Sequence, residues 1–276
     1  MKKSVMVSRL AIPILVLGLA ACSVVKIMYG MAGDLMARQV AFHLDLDEGD
    51  QAFLDAGIAD IVRWHRTHML PRYADFLRRQ ADFIDRGLMN RERIAASLDA
   101  GRLLLVDTLK GVTPQTAGLL ARHTAPAKLA YFSDRLAERR AERLEELNEP
   151  QDERLEDRAR RIARNFARFT GDLGAAQKEI IRRYAEFTLD DQVVRFRSRE
   201  RRQKLFIEFL EKRPRAAEIK VFMESLILRP QDFLGPQYKT IVAQRLARFR
   251  DLLLDVLTSL TPTQHARVSR TLRSYA

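Results

Sequence analysis

The chain has 276 residues, 47% hydrophobic and 30% charged, so it can build one sizeable core or two small ones and is not a disordered polymer. Twelve Gly and nine Pro exclude collagen-like and low-complexity sequence, and a single Cys excludes an internal disulfide and a thiolate metal cluster. Forty-eight Lys and Arg against 36 Asp and Glu leave a formal charge of +12, a balance suited to an anionic partner and silent about fold.

In chain order, Lys2, Lys3 and Arg9 come first without an acid, and apolar or small residues over 10–21 lead to Cys22, which predicts an export signal over 1–21. That run is shorter than the roughly 20 residues a membrane-spanning helix needs, and Lys26 interrupts the apolar residues beyond Cys22. Leu19-Ala20-Ala21-Cys22 resembles the lipobox of bacterial lipoproteins, and the sole Cys stands at the acylated position. The resemblance implies cleavage before Cys22 and acyl chains on that residue, and two lipid signals already give stable membrane attachment. Ser23, where enterobacterial lipoproteins retained at the inner membrane carry Asp, points to the periplasmic face of the outer membrane. Cleavage removes Lys2, Lys3 and Arg9 and no acid, so the processed chain stays basic. An uncleaved anchor and an ordinary secretory signal are the weaker readings.

Residues 22–45 are then expected to form a tether and a short helix, and 46–276 one α-helical domain, because apolar residues recur at helical spacing and period-two alternation is scarce. The expected fold is all-α, an elongated bundle of antiparallel helices. Leu54, Ile58, Ile61, Val62 and His65 share one helical face. Tyr73, Phe76, Leu77 and Ile84 continue the pattern after Pro71, and Val242, Leu246, Phe249, Leu253 and Leu257 repeat it near the end. Such stripes are core by default. Further helices are predicted over 90–109, 126–148, 152–170, 175–187, 190–212 and 215–228, with breaks near Gly87, Gly111, Pro150, Gly171, Pro214, Pro230 and Pro236. Residues 135–164 alternate Arg with acids around Leu136, Leu144, Leu147 and Leu155, so that stretch either pairs its charges or projects from the body.

At Leu260-Thr261-Pro262-Thr263-Gln264, Thr261 can cap a helix that begins at Pro262 while Gln264 reaches back to the cap amide. Leu173-Gly174-Ala175-Ala176-Gln177 repeats the pattern with glycine as cap, and 46–51 and 188–192 are looser versions. Capping chemistry by itself generates such recurrence. The pattern also resembles the Leu-Thr-x-x-Gln motif of Spy- and CpxP-type periplasmic proteins, which are all-helical and include an ATP-independent chaperone. A wider resemblance rests on Trp64-His65-Arg66 followed by Leu70-Pro71-Arg72-Tyr73-Ala74, with the lipobox upstream and 171–177 downstream. Together these look like a family of proteobacterial lipoproteins described only as a domain of unknown function. That likeness implies an envelope location and a helical fold, and no activity.

Catalytic signals are weak. His65 and His68 could in principle hold zinc, but no third ligand stands at a paired spacing, so no metal and no cofactor is expected. Glu224-Ser225 and Gly87-Leu88-Met89-Asn90 resemble pieces of the lytic-transglycosylase motif in reversed order and far apart. No nucleophile elbow, Walker A sequence or dinucleotide-binding glycine run is present. The strongest charge feature is Arg195, Arg197, Arg199, Arg201, Arg202 and Lys204, within which Arg195, Arg199 and Arg202 share one side of a helix and Val193, Phe196, Ile207 and Leu210 another. Export argues against nucleic acid and leaves anionic lipid, peptidoglycan or non-native protein as partners. The sequence thus predicts a non-enzymatic, chaperone-like binding lipoprotein of the envelope, with an envelope scaffold as the alternative.

Overall fold

A computed structural model describes residues 31–276. The signal over 1–21, the lipobox residues Leu19, Ala20 and Ala21, and Cys22 lie outside the described residues. The described chain is an all-α bundle: α1 (Ala32–His43), α2 (Glu48–Trp64), a wide π turn (His65–Met69), α3 (Leu70–Asp85), α4 (Arg91–Ala121), α5 (Pro126–Asn148), α6 (Gln151–Thr170), α7 (Ala175–Phe187), α8 (Asp191–Leu210), α9 (Ala216–Leu228), the single turn α10 (Gln231–Leu234), α11 (Pro236–Thr258) and α12 (Pro262–Ser274). Among the described residues no helix is long and apolar enough to cross a membrane.

Two hydrophobic clusters hold the bundle. The first gathers Leu44, Leu54, Ile58, Leu120, Leu129, Leu210 and Ile219 from α1, α2, α4, α5, α8 and α9. The second gathers Ile84, Leu173, Ile181, Leu252, Val256, Leu260 and Val268 from α3, α7, α11, α12 and their loops. Both are built on the same plan. In the first, α1 packs on α2, α2 on α4 and α1 on α5; in the second, α6 packs on α7, α7 on α11 and α6 on α12.

At the centre of each plan two helix starts face each other through their third residues. Gln177 and Gln264, both buried, form a reciprocal pair. Gln177 Oε1 accepts from the cap amide of Gly174 at 3.0 Å, and Gln264 Oε1 from that of Thr261 at 3.0 Å. Each side-chain amide also donates to the other's Oε1, at 2.9 and 3.0 Å, and to the carbonyl two residues before the other's cap: Ser259 O at 3.1 Å and Asp172 O at 2.8 Å. The two capping boxes are thus one network.

In the first plan the corresponding residues are Asp50 and Lys128, an ion pair. Asp47 caps α2 by accepting from the Asp50 amide at 2.8 Å, and the buried Asp50 carboxylate also accepts from Arg122 Nε at 2.7 Å and lies 3.3 Å from His123 Nε2. Burial raises the Asp50 pKa, but the bonds from Lys128 and Arg122 and the nearby His123 ring outweigh it and hold the carboxyl well below the usual range.

The π turn has a local cause. Proline lacks an amide hydrogen, and in a regular helix the Pro71 ring would meet the Thr67 carbonyl four residues back; widening the turn, so that the Leu70 amide reaches His65 O, relieves that contact. The expected break near Gly111 does not occur. Helix α4 runs through both Gly111 and Pro114, and the Lys110 carbonyl that Pro114 leaves without its usual amide lies 3.2 Å from Thr113 Oγ1, which shares its single hydrogen with Glu224. Gly111 is required for a different reason: a Cβ there would lie 2.0 Å from the Trp64 indole. Helix propensity favours Ala over Gly by about 1 kcal/mol, whereas overpacking costs about 1–3 kcal/mol and a rigid ring at that distance belongs at the upper end. Gly111→Ala is therefore expected to lose about 2 kcal/mol in urea unfolding, with Trp64→Phe restoring part of it.

Candidate functional site

The residues Trp64, His65, Arg66, Leu70, Pro71 and Tyr73 form a structural joint between α2 and α3. Trp64 lies on Gly111 and stacks on His68, their ring centroids 6.3 Å apart. Tyr73 donates to the Thr108 hydroxyl, which itself donates to Leu104 O at 2.9 Å, and Arg72 pairs with Asp107 at 2.6 Å. His65 stands 5.5 Å from the Tyr73 ring, and burial lowers its pKa. Arg66 is exposed and borders a second cavity, of about 540 Å³, between α1 and α2.

Glu224 accepts from Thr113 Oγ1 at 2.8 Å and from Lys220 at 2.9 Å. Burial raises its pKa, but these two bonds prevail and lower it, the opposite of the poise a general acid needs. Met89 belongs to the second cluster, away from Glu224, so the two glycosidase-like fragments are not brought together.

A cavity of about 1310 Å³ opens between α5, α6, α8 and α11. Arg195, Arg199 and Arg202 line it, three residues of the basic helix that share one side at i, i+4 and i+7. Lys204 lies outside, exposed and 3.9 Å from Glu208. Facing the α8 arginines are Arg143 of α5 and Arg158 and Arg161 of α6. These three belong to the 135–164 stretch, where several charges pair at i, i+3: Arg135 with Glu138 at 2.6 Å and Arg139 with Glu142 at 2.8 Å. Arg143 pairs with Glu146 and donates to Gln192 Oε1 at 3.2 Å. Arg158 donates to a neutral partner, the Thr188 hydroxyl, at 2.6 Å. Among the described residues no ion pair joins Arg158, Arg161, Arg195, Arg199 or Arg202 to an acid. Burial, together with the like charges of Arg161 and Arg195, lowers the pKa of Arg143 and Arg158. Guanidinium stays charged even so.

The floor of this cleft is apolar. Ile162, Phe166 and Phe169 of α6 meet Val242, Leu246 and Phe249 of α11, and Phe196 joins from α8. Here the structure corrects the sequence: the α11 stripe is not all core. Val242, Leu246 and Phe249 remain 42%, 37% and 37% exposed and Leu253 and Leu257 are half-buried, because no helix covers that side, while the buried residues of α11 are Leu252 and Val256, off the stripe. Phe196 likewise faces the arginine side it was separated from. The helix expected to start at 188–192 does begin at Asp191, but the buried Gln192 makes no cap bond of the Gln177 kind; it borders the cleft and its side-chain Nε2 has no partner among the described residues.

Sequence reasoning missed Arg143, Arg158 and Arg161. One signal could have found the last two: they fall at i, i+3 on the same helical face as Ile162, Phe166 and Phe169, rather than opposite it.

A family model described as a family of unknown function, DUF6279, matches residues 42–239. Comparison with curated proteins and with solved structures finds no match.

Proposed function

We propose that this chain, which belongs to the DUF6279 family of unknown function, is a lipid-anchored, periplasm-facing binding protein that performs no covalent chemistry and holds anionic partners in its arginine-lined cleft. The open cleft carries the reading: it combines an uncovered apolar stripe with the guanidinium groups of Arg158, Arg161, Arg195, Arg199 and Arg202, none of them ion-paired with an acid among the described residues. Such a surface attracts anions through its field and holds them through area taken from water. Attachment through acyl chains on Cys22 keeps the cleft near the envelope.

Two measurements test the two halves. Radiolabelled palmitate marks the full chain, and Cys22→Ala both loses the label and leaves the membrane fraction; equal labelling of the two forms would reject the anchor. A fluorescent polyglutamate binds the full chain with an affinity that falls as salt rises, and Arg195→Gln, Arg199→Gln and Arg202→Gln together weaken it by about tenfold, which is about 1.4 kcal/mol. Binding that ignores salt and these substitutions would reject the cleft.

A further inference from the structure

We infer that the occupant of the cleft is a single phospholipid, its phosphate gripped by Arg158, Arg195 and Arg199 and its acyl chains laid on Phe166, Leu246 and Phe249. The inference rests on the cleft being the binding element of the protein. It commits to one ligand class because charge and apolar surface are segregated along α6, which forms one wall of the cavity. On α6, Arg158 and Arg161 come first and Ile162, Phe166 and Phe169 follow toward the C-terminal end. On α11, Val242, Leu246 and Phe249 run for two turns, about 10 Å at 1.5 Å per residue, and the arginine between them, Arg245, is paired with Asp191 at 3.3 Å.

An extended acidic peptide fits that pattern poorly. It would lay its amides and carbonyls on a floor of phenylalanine and leucine that offers them no hydrogen bonds. A free polar anion would satisfy the arginines and leave Leu246 and Phe249 in water. An amphiphile satisfies both ends at once. Phosphate also suits the polar end, since guanidinium forks from α6 and α8 can each engage a pair of its oxygens. Glu146, the one acid on the cleft wall, is already paired with Arg143. At about 1310 Å³ the cavity exceeds the roughly 300–1,000 Å³ of pockets for drug-sized ligands.

The test uses the full chain in a Gram-negative host, with a photoreactive benzoylphenylalanine replacing Phe249 in one strain and Leu105 in another. Leu105 is 67% exposed on α4, outside the cleft, and so controls for proximity to membrane. After irradiation, mass spectrometry of the purified protein reads the adducts. Phospholipid adducts at position 249, about tenfold more abundant than at 105 and reduced about tenfold when Arg158, Arg195 and Arg199 are changed to Gln, support the inference. Only polypeptide adducts at 249 overturn the phospholipid and leave a binding cleft. No adduct at 249, or equal yields at 249 and 105, overturn the phospholipid, and a failed polyglutamate titration beside that result removes the cleft as well. Should the triple substitution unfold the protein, the comparison of 249 with 105 decides alone.

Discussion

Gln264→Leu is expected to destabilise the protein by about 3 kcal/mol, the sum of a lost cap worth about 1 and unmade buried hydrogen bonds worth about 1–3 in total. The leucine occupies much the same space, so the loss comes from the polar groups left behind: the Thr261 amide, the Asp172 carbonyl and the Gln177 side chain all lose a partner. In a domain of this size the change lowers the melting temperature by about 6–12 °C. Gln177→Leu should behave alike, stripping Gly174 N and Ser259 O. The double variant should lose clearly less than the sum, because each single change already abolishes the bonds the two side chains share. Urea unfolding of the four proteins measures this coupling, and strictly additive losses would refute the network.

Asp50→Asn is expected to cost about 3 kcal/mol at neutral pH, since removing one partner from a buried charged cluster leaves the others uncompensated. Lys128, Arg122 and His123 all converge on this one carboxylate. The sign of its pH dependence comes from the direction of its shift. A carboxyl held below its unfolded value of about 3.9 contributes full stability above that pH and loses it as pH falls toward the folded value. The native protein should therefore lose stability steeply below about pH 4, and Asp50→Asn should flatten that decline while starting from a lower plateau. Lys128 shifts the other way, raised chiefly by its bond to Asp50, so its contribution persists through neutral pH and fades only in strong alkali. Denaturant midpoints from pH 2 to pH 7, taken for both proteins, test the difference; parallel curves would show that Asp50 is not the acid-sensitive group.

The two variants probe equivalent places. Gln177 meets Gln264 as Asp50 meets Lys128, third residue to third residue of facing helix starts. One plan is held by a neutral amide pair and the other by an ion pair. Salt and pH should consequently loosen the end of the molecule built on α1, α2, α4 and α5 before the end built on α6, α7, α11 and α12.

The local features of this protein were legible from its residues. Helical spacing marked Leu54, Ile58 and Ile84 as core, and they are buried. Thr261 with Gln264, and Gly174 with Gln177, read as capping boxes because a cap involves residues three apart, a distance the chain itself sets. The basic face of Arg195, Arg199 and Arg202 was visible for the same reason. Where the reading failed, the deciding partner was remote. Gly111 looks like a helix stop until Trp64, almost fifty residues earlier, is laid against it.

Sequence alone therefore determined that the chain is helical, where most helices start, and which faces are apolar or basic, since each of these depends on neighbours within about one turn. Tertiary structure alone decided which apolar faces meet and which stay open: Leu252 is buried while Leu246, on the same helix, stays 37% exposed along the cleft. It also brought Arg143, Arg158 and Arg161 opposite α8, because the docking of separate helices depends on shape and charge that no single segment contains.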